Sequence, residues 1–153
     1  MEYQLDDIDK ALLNRIQSDF PIDPRPFAKI GGELGLTEKE VLERVRLLKE
    51  KDIIRRIGGN FSPEKLGYVS TLCAGRVPEK DLERFADTVN SYPGVTHNYL
   101  RDNKFNVWFT IIAPSAEDIE KSIREISEKT GITEILNLPA TRVYKIRAHF
   151  NLR

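Results

Sequence analysis

The chain has few of the residues on which several large function classes depend. A single cysteine, Cys73, rules out an internal disulfide and every Cys-rich metal or haem-attachment motif. Set in an apolar run, it is expected to be a buried small hydrophobe. No apolar stretch approaches the roughly 20 residues of a membrane span, and the acidic start, Met1 to Asp9, lacks the basic and apolar regions of a signal peptide. The chain is therefore expected to be cytoplasmic, with no membrane contact. Net charge is zero, so the surface as a whole is not built to attract nucleic acid. At 153 residues it can form one medium domain or two small ones, each with a modest core. Dimerisation is the expectation.

Helical periodicity dominates the first third. Leu5, Ile8, Leu12, Leu13 and Ile16 recur at helical spacing over residues 6–18. Asp23-Pro24 predicts an N-cap and first position for a short second helix carrying Phe27, Ile30 and Leu34 and stopping at Gly35. Thr37-Glu38-Lys39-Glu40 is a capping box that opens a third helix, with Val41, Val45, Leu47 and Leu48 on its apolar stripe. Two helices around a short turn have helix-turn-helix spacing. Residues 53–57, Gly58-Gly59 and Asn60-Phe61 then predict the strands and tip of a wing. An N-terminal domain is thus expected over 1–61 and a second over 62–153.

Beyond Ser62-Pro63 the pattern changes to βαββαβ: a strand over 69–77, a helix over 78–91, strands over 95–101 and 104–113, a helix over 115–129 and a strand over 132–138. That is the ferredoxin-like order, and residues 141–150 are expected to add a fifth strand. The fold class is α+β.

With a two-residue turn at Asp102-Asn103, Leu100 pairs with Phe105, Tyr99 with Asn106 and His97 with Trp108. Alternation sends Leu100, Phe105, Val107, Phe109 and Ile111 toward the helices, and His97, Tyr99, Arg101, Asn106 and Trp108 to the uncovered face. Imidazole, phenol, guanidinium and indole together make an aromatic, cationic, proton-donating surface. From Ile135 to Arg153 the chain carries Arg142, Lys145, Arg147 and Arg153 with no acidic residue, which favours an anionic ligand; Lys145, Arg147 and His149 alternate away from Tyr144, Ile146, Ala148 and Phe150.

The layout, and the run Val41 to Leu48 followed by Asp52-Ile53-Ile54, resemble the Lrp/AsnC regulators over nearly the whole chain. Charge argues against the DNA-binding role that likeness implies: residues 1–61 hold eleven Lys/Arg against twelve Asp/Glu, a poor balance for neutralising phosphates. The Arg55-Arg56 pair is most simply a surface pair. The strings Gly94-Val95-Thr96-His97-Asn98-Tyr99-Leu100-Arg101 and Phe105-Asn106-Val107-Trp108-Phe109-Thr110 resemble the signature of the siroheme decarboxylases, Lrp/AsnC-like proteins of alternative haem and haem d1 biosynthesis that work as pairs of related subunits.

That resemblance implies removal of two acetate carboxyls from siroheme, giving 12,18-didecarboxysiroheme. It implies His97, Tyr99 and Arg101 as catalytic candidates, and Asn106, Trp108, Arg142, Lys145, Arg147 and His149 as substrate-binding ones. It implies no cofactor of the protein's own, since the iron comes with siroheme, to which His97 or His149 could be an axial ligand. The expected partner is a paralogous subunit or a second copy. The competing reading is a DNA-binding regulator that senses a small anionic metabolite.

Overall fold

The structure is a computed structural model describing residues 3–145 and 149–152. It divides into two compact units, residues 1–59 with 145–153, and residues 60–144. The tail from Lys145 groups with the helices and not with the sheet to which the βαββαβ pattern assigns it.

In the helical unit, α1 (Asp7–Ser18) starts at a capping box in which Asp6 accepts from the Asp9 amide while the Asp9 carboxylate accepts from the Asp6 amide. The second helix, α2 (Pro26–Leu34), begins two residues later than Pro24 predicts. Arg25 precedes Pro26 and is excluded from helical geometry by the proline ring; its φ of −129° and ψ of 67° place it outside the helix. The Asp23 carboxylate accepts from the Arg25 amide instead of capping a helix at Pro24. Gly35 ends α2 at φ 70°, the left-handed conformation glycine adopts without strain. Thr37 and Glu40 form the predicted capping box of α3 (Glu38–Glu50). Leu12, Ile30, Val41, Val45, Leu48 and Ile54 make the core of this unit.

No wing strand forms among the described residues; residues 53–61 are bends and irregular chain. Ile54 is buried, but Phe61 is 74% exposed. An isolated two-stranded ribbon with so little to bury is marginal at best.

In the second unit, β1 (Val69–Gly75), α4 (Leu82–Asn90), β2 (Val95–Leu100), β3 (Val107–Ala113), α5 (Ala116–Thr130) and β4 (Ile135–Pro139) follow the ferredoxin-like order. The strands form an antiparallel sheet in the order β2-β3-β1-β4. Cys73, Phe85, Val89, Val107, Phe109, Ile111, Ile119 and Ile126 fill the core between one sheet face and the two helices. Phe85 meets Phe109 edge to face at 6.1 Å, worth about 0.5–1.5 kcal/mol beyond the area buried. The predicted fifth strand is absent among the described residues of 141–150.

Phe150 and Leu152 instead lie along α1. Asn14 Nδ2 donates to the Leu152 carbonyl and Asn14 Oδ1 accepts from the Leu152 amide. Gln17 brackets Phe150 in the same way. Two side-chain amides one helical turn apart thus satisfy alternate backbone groups of the segment, replacing the ladder a fifth strand would have used.

Candidate functional site

The hairpin β2–β3 carries the site, and its register is set by a longer turn than Asp102-Asn103 implies. Arg101 donates its amide to the Asn106 carbonyl, so residues 101–106 form the connection. Tyr99 pairs with Trp108, Leu100 with Val107, Asn98 with Phe109 and His97 with Thr110. Each predicted pairing is displaced by two residues. A slip of two preserves the faces where a slip of one would invert them, so His97, Tyr99 and Trp108 still share the uncovered side. Leu100, expected in the core, is 66% exposed at the end of the edge strand.

A β-bulge decides where His97 points. Val95 pairs with Ile111, and the next pair is His97 with Thr110, so Thr96 is the extra residue on β2. Regular alternation would place Val95 and His97 on one face. The bulge resets it: Val95 packs against the helix-covered core while His97 joins Thr110 on the open side. Gly94 permits the close approach, since a Cβ there would lie 2.3 Å from the Ile112 carbonyl oxygen, the strand whose amide bonds the Gly94 carbonyl at 2.8 Å.

Two rows of side chains cross the open face in register. One runs His97, Thr110, Leu72, Leu138; the other runs Tyr99, Trp108, Ala74, Leu136. A cavity of about 370 Å³ is lined by Leu72, His97, Tyr99, Arg101, Trp108 and Thr110. The His97 and Tyr99 rings stack at 6.0 Å with planes 26° apart. The Arg101 guanidinium lies 5.8 Å from the Trp108 ring centroid, within cation–π range. Thr96 Oγ1 sits 3.0 Å from His97 Nδ1. The indole N–H donates to the Phe105 carbonyl at 2.7 Å, so Trp108 offers the cavity its face and not its donor. No carboxylate is among the lining residues, and Arg101 gives the cavity a fixed positive charge.

Four of the nine candidate residues, His97, Tyr99, Arg101 and Trp108, therefore line one cavity. Asn106 does not. Its Oδ1 accepts from the Val77 amide at 2.9 Å and its Nδ2 donates to the Val77 carbonyl at 2.8 Å, which spends both ends of the amide on joining the hairpin to the chain after β1. Arg142 lies over the Tyr144 ring at 5.1 Å and does not line the cavity. Lys145 and His149 belong to the helical unit, where His149 Nδ1 is 3.0 Å from the Ser18 hydroxyl. Arg147 lies outside the described residues. Leu72 and Thr110 line the cavity without being among the candidates: Thr110 ends the motif string on the face of Trp108, and alternation along the first strand, with Ser70, Leu72 and Ala74 on one face, is the signal for Leu72.

Other groups are poor alternatives. Burial pushes the Cys73 thiol up to about 12, so it is no nucleophile at neutral pH. Among the described residues no group of three or more His, Cys, Asp or Glu side chains converges on a metal position. A cavity of about 470 Å³ in the helical unit is lined by Tyr3, Asp6, Leu36, Glu40, Glu43, Arg44 and Leu47. Arg44 is committed there to Asp6 at 2.8 Å and to buried Asp9 at 2.7 Å, leaving an acidic wall unsuited to an anion. Among the described residues no helix is long and apolar enough to cross a membrane.

Comparison with known proteins agrees with this division. The family model described as the AsnC-like ligand binding domain matches residues 65–145. A second, the siroheme decarboxylase NirDL-like HTH domain, matches residues 9–55. The siroheme decarboxylase alpha subunit of Oleidesulfovibrio alaskensis is 54% identical over 151 residues, covering 99% of this chain and 92% of that protein. The crystal structure of the siroheme decarboxylase NirDL superposes with a TM-score of 0.65 at 33% identity, over 96% of this chain and 48% of that one; NirDL has also been solved with an iron-uroporphyrin III analogue. The leucine response regulatory protein LrpA of Mycobacterium tuberculosis superposes with a TM-score of 0.80 at 18% identity, a likeness of fold alone. Whole-length identity above one half, joined to the cavity on the hairpin face, places the chain in the siroheme decarboxylase family.

Proposed function

We propose that this chain is a subunit of a siroheme decarboxylase that removes CO2 from two acetate side chains of siroheme, giving 12,18-didecarboxysiroheme. The observation that carries this reading is the single cavity bringing together His97, Tyr99, Arg101 and Trp108. A flat, polyanionic macrocycle needs an apolar wall and cations. Trp108 and Leu72 supply the wall, and Arg101 pairs with a carboxylate. Arg142, in the same unit, remains a secondary candidate for an outer carboxylate.

Loss of CO2 leaves an electron pair on the methylene carbon. The conjugated ring accepts it once protonated; protonation of the methylene carbon then yields a methyl group as the ring returns its proton to solvent. His97 is the proton donor and Tyr99 the second candidate. The exchange of CO2 for a proton is redox-neutral, so no cofactor of the protein's own is required, and the iron is part of the substrate. A cavity of 370 Å³ is at the small end of ligand sites, about 300–1,000 Å³. It holds part of a tetrapyrrole, and a related subunit or second copy covers the rest. The relatives' designation as alpha subunits supports that partnership. The site belongs to the second unit, and the helical unit serves as a scaffold.

Anaerobic incubation with siroheme, alone and with the related subunit, should give a product lighter by two CO2; no product in either case overturns the reading. His97→Ala should abolish turnover while keeping the shift of the tetrapyrrole Soret band. The alternative of a DNA-binding regulator has only a likeness of fold behind it, since the regulators superpose at 18–19% identity.

A further inference from the structure

We propose that Thr96 is a positioning residue for His97, fixing which imidazole nitrogen faces the cavity. The inference rests on the reading of His97 as the proton donor. Thr96 is the bulge residue, and the bulge is what brings His97 to the open face. Its hydroxyl lies 3.0 Å from His97 Nδ1, while the ring lines the cavity and stacks on Tyr99. With Nδ1 engaged, Nε2 is the nitrogen left for the substrate.

A hydroxyl suits this role because it both donates and accepts. It donates to Nδ1 of the neutral Nε2–H tautomer and accepts from Nδ1–H of the imidazolium. When the imidazolium gives its Nε2 proton to the methylene carbon, the N–H bond breaks, a C–H bond forms and a neutral ring remains. That ring still donates Nδ1–H to Thr96, and solvent returns a proton to Nε2. The hydrogen bond therefore persists through the cycle and opposes the ring flip that would carry Nδ1 to the other side. A carboxylate could only accept.

The test uses the full chain with its related subunit, comparing Thr96→Val, Thr96→Ser and His97→Ala with the natural sequence. Thr96→Val should lower kcat about threefold to tenfold, the worth of one hydrogen bond, with KM for siroheme changed by less than about twofold. Thr96→Ser should restore kcat. The chain has only two histidines, so long-range ¹H–¹⁵N spectra resolve the His97 ring. Its Nδ1 resonance should move in Thr96→Val and stay in Thr96→Ser. Thr96→Ala provides the same comparison if valine disturbs folding. Failure of serine to rescue overturns the inference, because it would assign the effect to the bulge and not to the hydroxyl. If His97→Ala is inactive while Thr96→Val matches the natural chain in kcat and Nδ1 resonance, this inference alone fails. If His97→Ala retains full turnover, the proton-donor reading fails and this inference with it.

Discussion

At the scale of single residues, the hairpin assigns different work to side chains that look alike in sequence. Asn106 stands among the aromatic and cationic positions of the motif, yet its amide is consumed by the Val77 backbone. Asn106→Ala strands a part-buried N–H and C=O, and should cost about 1–3 kcal/mol, measured as a lowered urea midpoint with unchanged tetrapyrrole affinity. A raised Kd at unchanged stability would return Asn106 to the substrate. Gly94 carries the opposite lesson. Its replacement by alanine would drive a Cβ against the Ile112 carbonyl; the strand must shift, costing about 1–3 kcal/mol. Thermal unfolding should register the loss, and turnover should fall further than stability alone explains because His97 is displaced.

At the scale of elements, what was legible in sequence was what depends on local pattern. The capping box at Thr37 and the left-handed stop at Gly35 are local physics, and they stand where the residues predict. The wing and the fifth strand failed because a strand needs a partner, and partners are not local. Nothing in residues 141–150 announces that Asn14 and Gln17 would bind the tail backbone first. The hairpin keeps its open face for a different reason: the longer connection shifts pairing by an even number of residues, so His97, Tyr99 and Trp108 share one side although every pair differs. The bulge at Thr96 was not legible, since it depends on how Gly94 meets β3.

The helical elements also carry an acid sensitivity whose sign follows from their carboxylates. Asp6 is held below the usual carboxylate range by the Asp9 amide and the Arg44 guanidinium, Glu33 by Arg15, and Glu40 by the Thr37 hydroxyl and amide. A depressed folded pKa adds stability that is fully present above the unfolded value and is lost as pH falls through the folded one. Melting of the helical unit, followed by circular dichroism, should be level near neutrality and fall from about pH 5 downward. Arg44→Met should lower the melting temperature at pH 6 and flatten the acid slope.

For the whole molecule, Phe150 and Leu152 return to α1 in the helical unit, while the hairpin cavity belongs to the sheet unit. Removing both amide clamps with Asn14→Ala and Gln17→Ala should leave the sheet unit intact and speed hydrogen exchange at Phe150 and Leu152, whose amides the clamps hold at 3.0 and 3.2 Å. Slow exchange retained in the double variant would show that other groups secure the tail. Arg44 of α3 is committed to Asp6 at 2.8 Å and to Asp9 at 2.7 Å, which takes that guanidinium away from a phosphate.

The extra residue at Thr96 also bears on which length changes this family can accept. The connection over 101–106 lies beyond the last strand pair, so lengthening or shortening it by two leaves every side chain on its own face. Deleting Thr96 would make Val95 and His97 neighbours on a regular strand, where plain alternation keeps Val95 against the core and His97 on the open face. Among relatives, a gap of one residue at this position would mark a chain that keeps its histidine in the cavity but lacks the bulge and its hydroxyl, whereas a gap of one between His97 and Tyr99 would put those two rings on opposite faces.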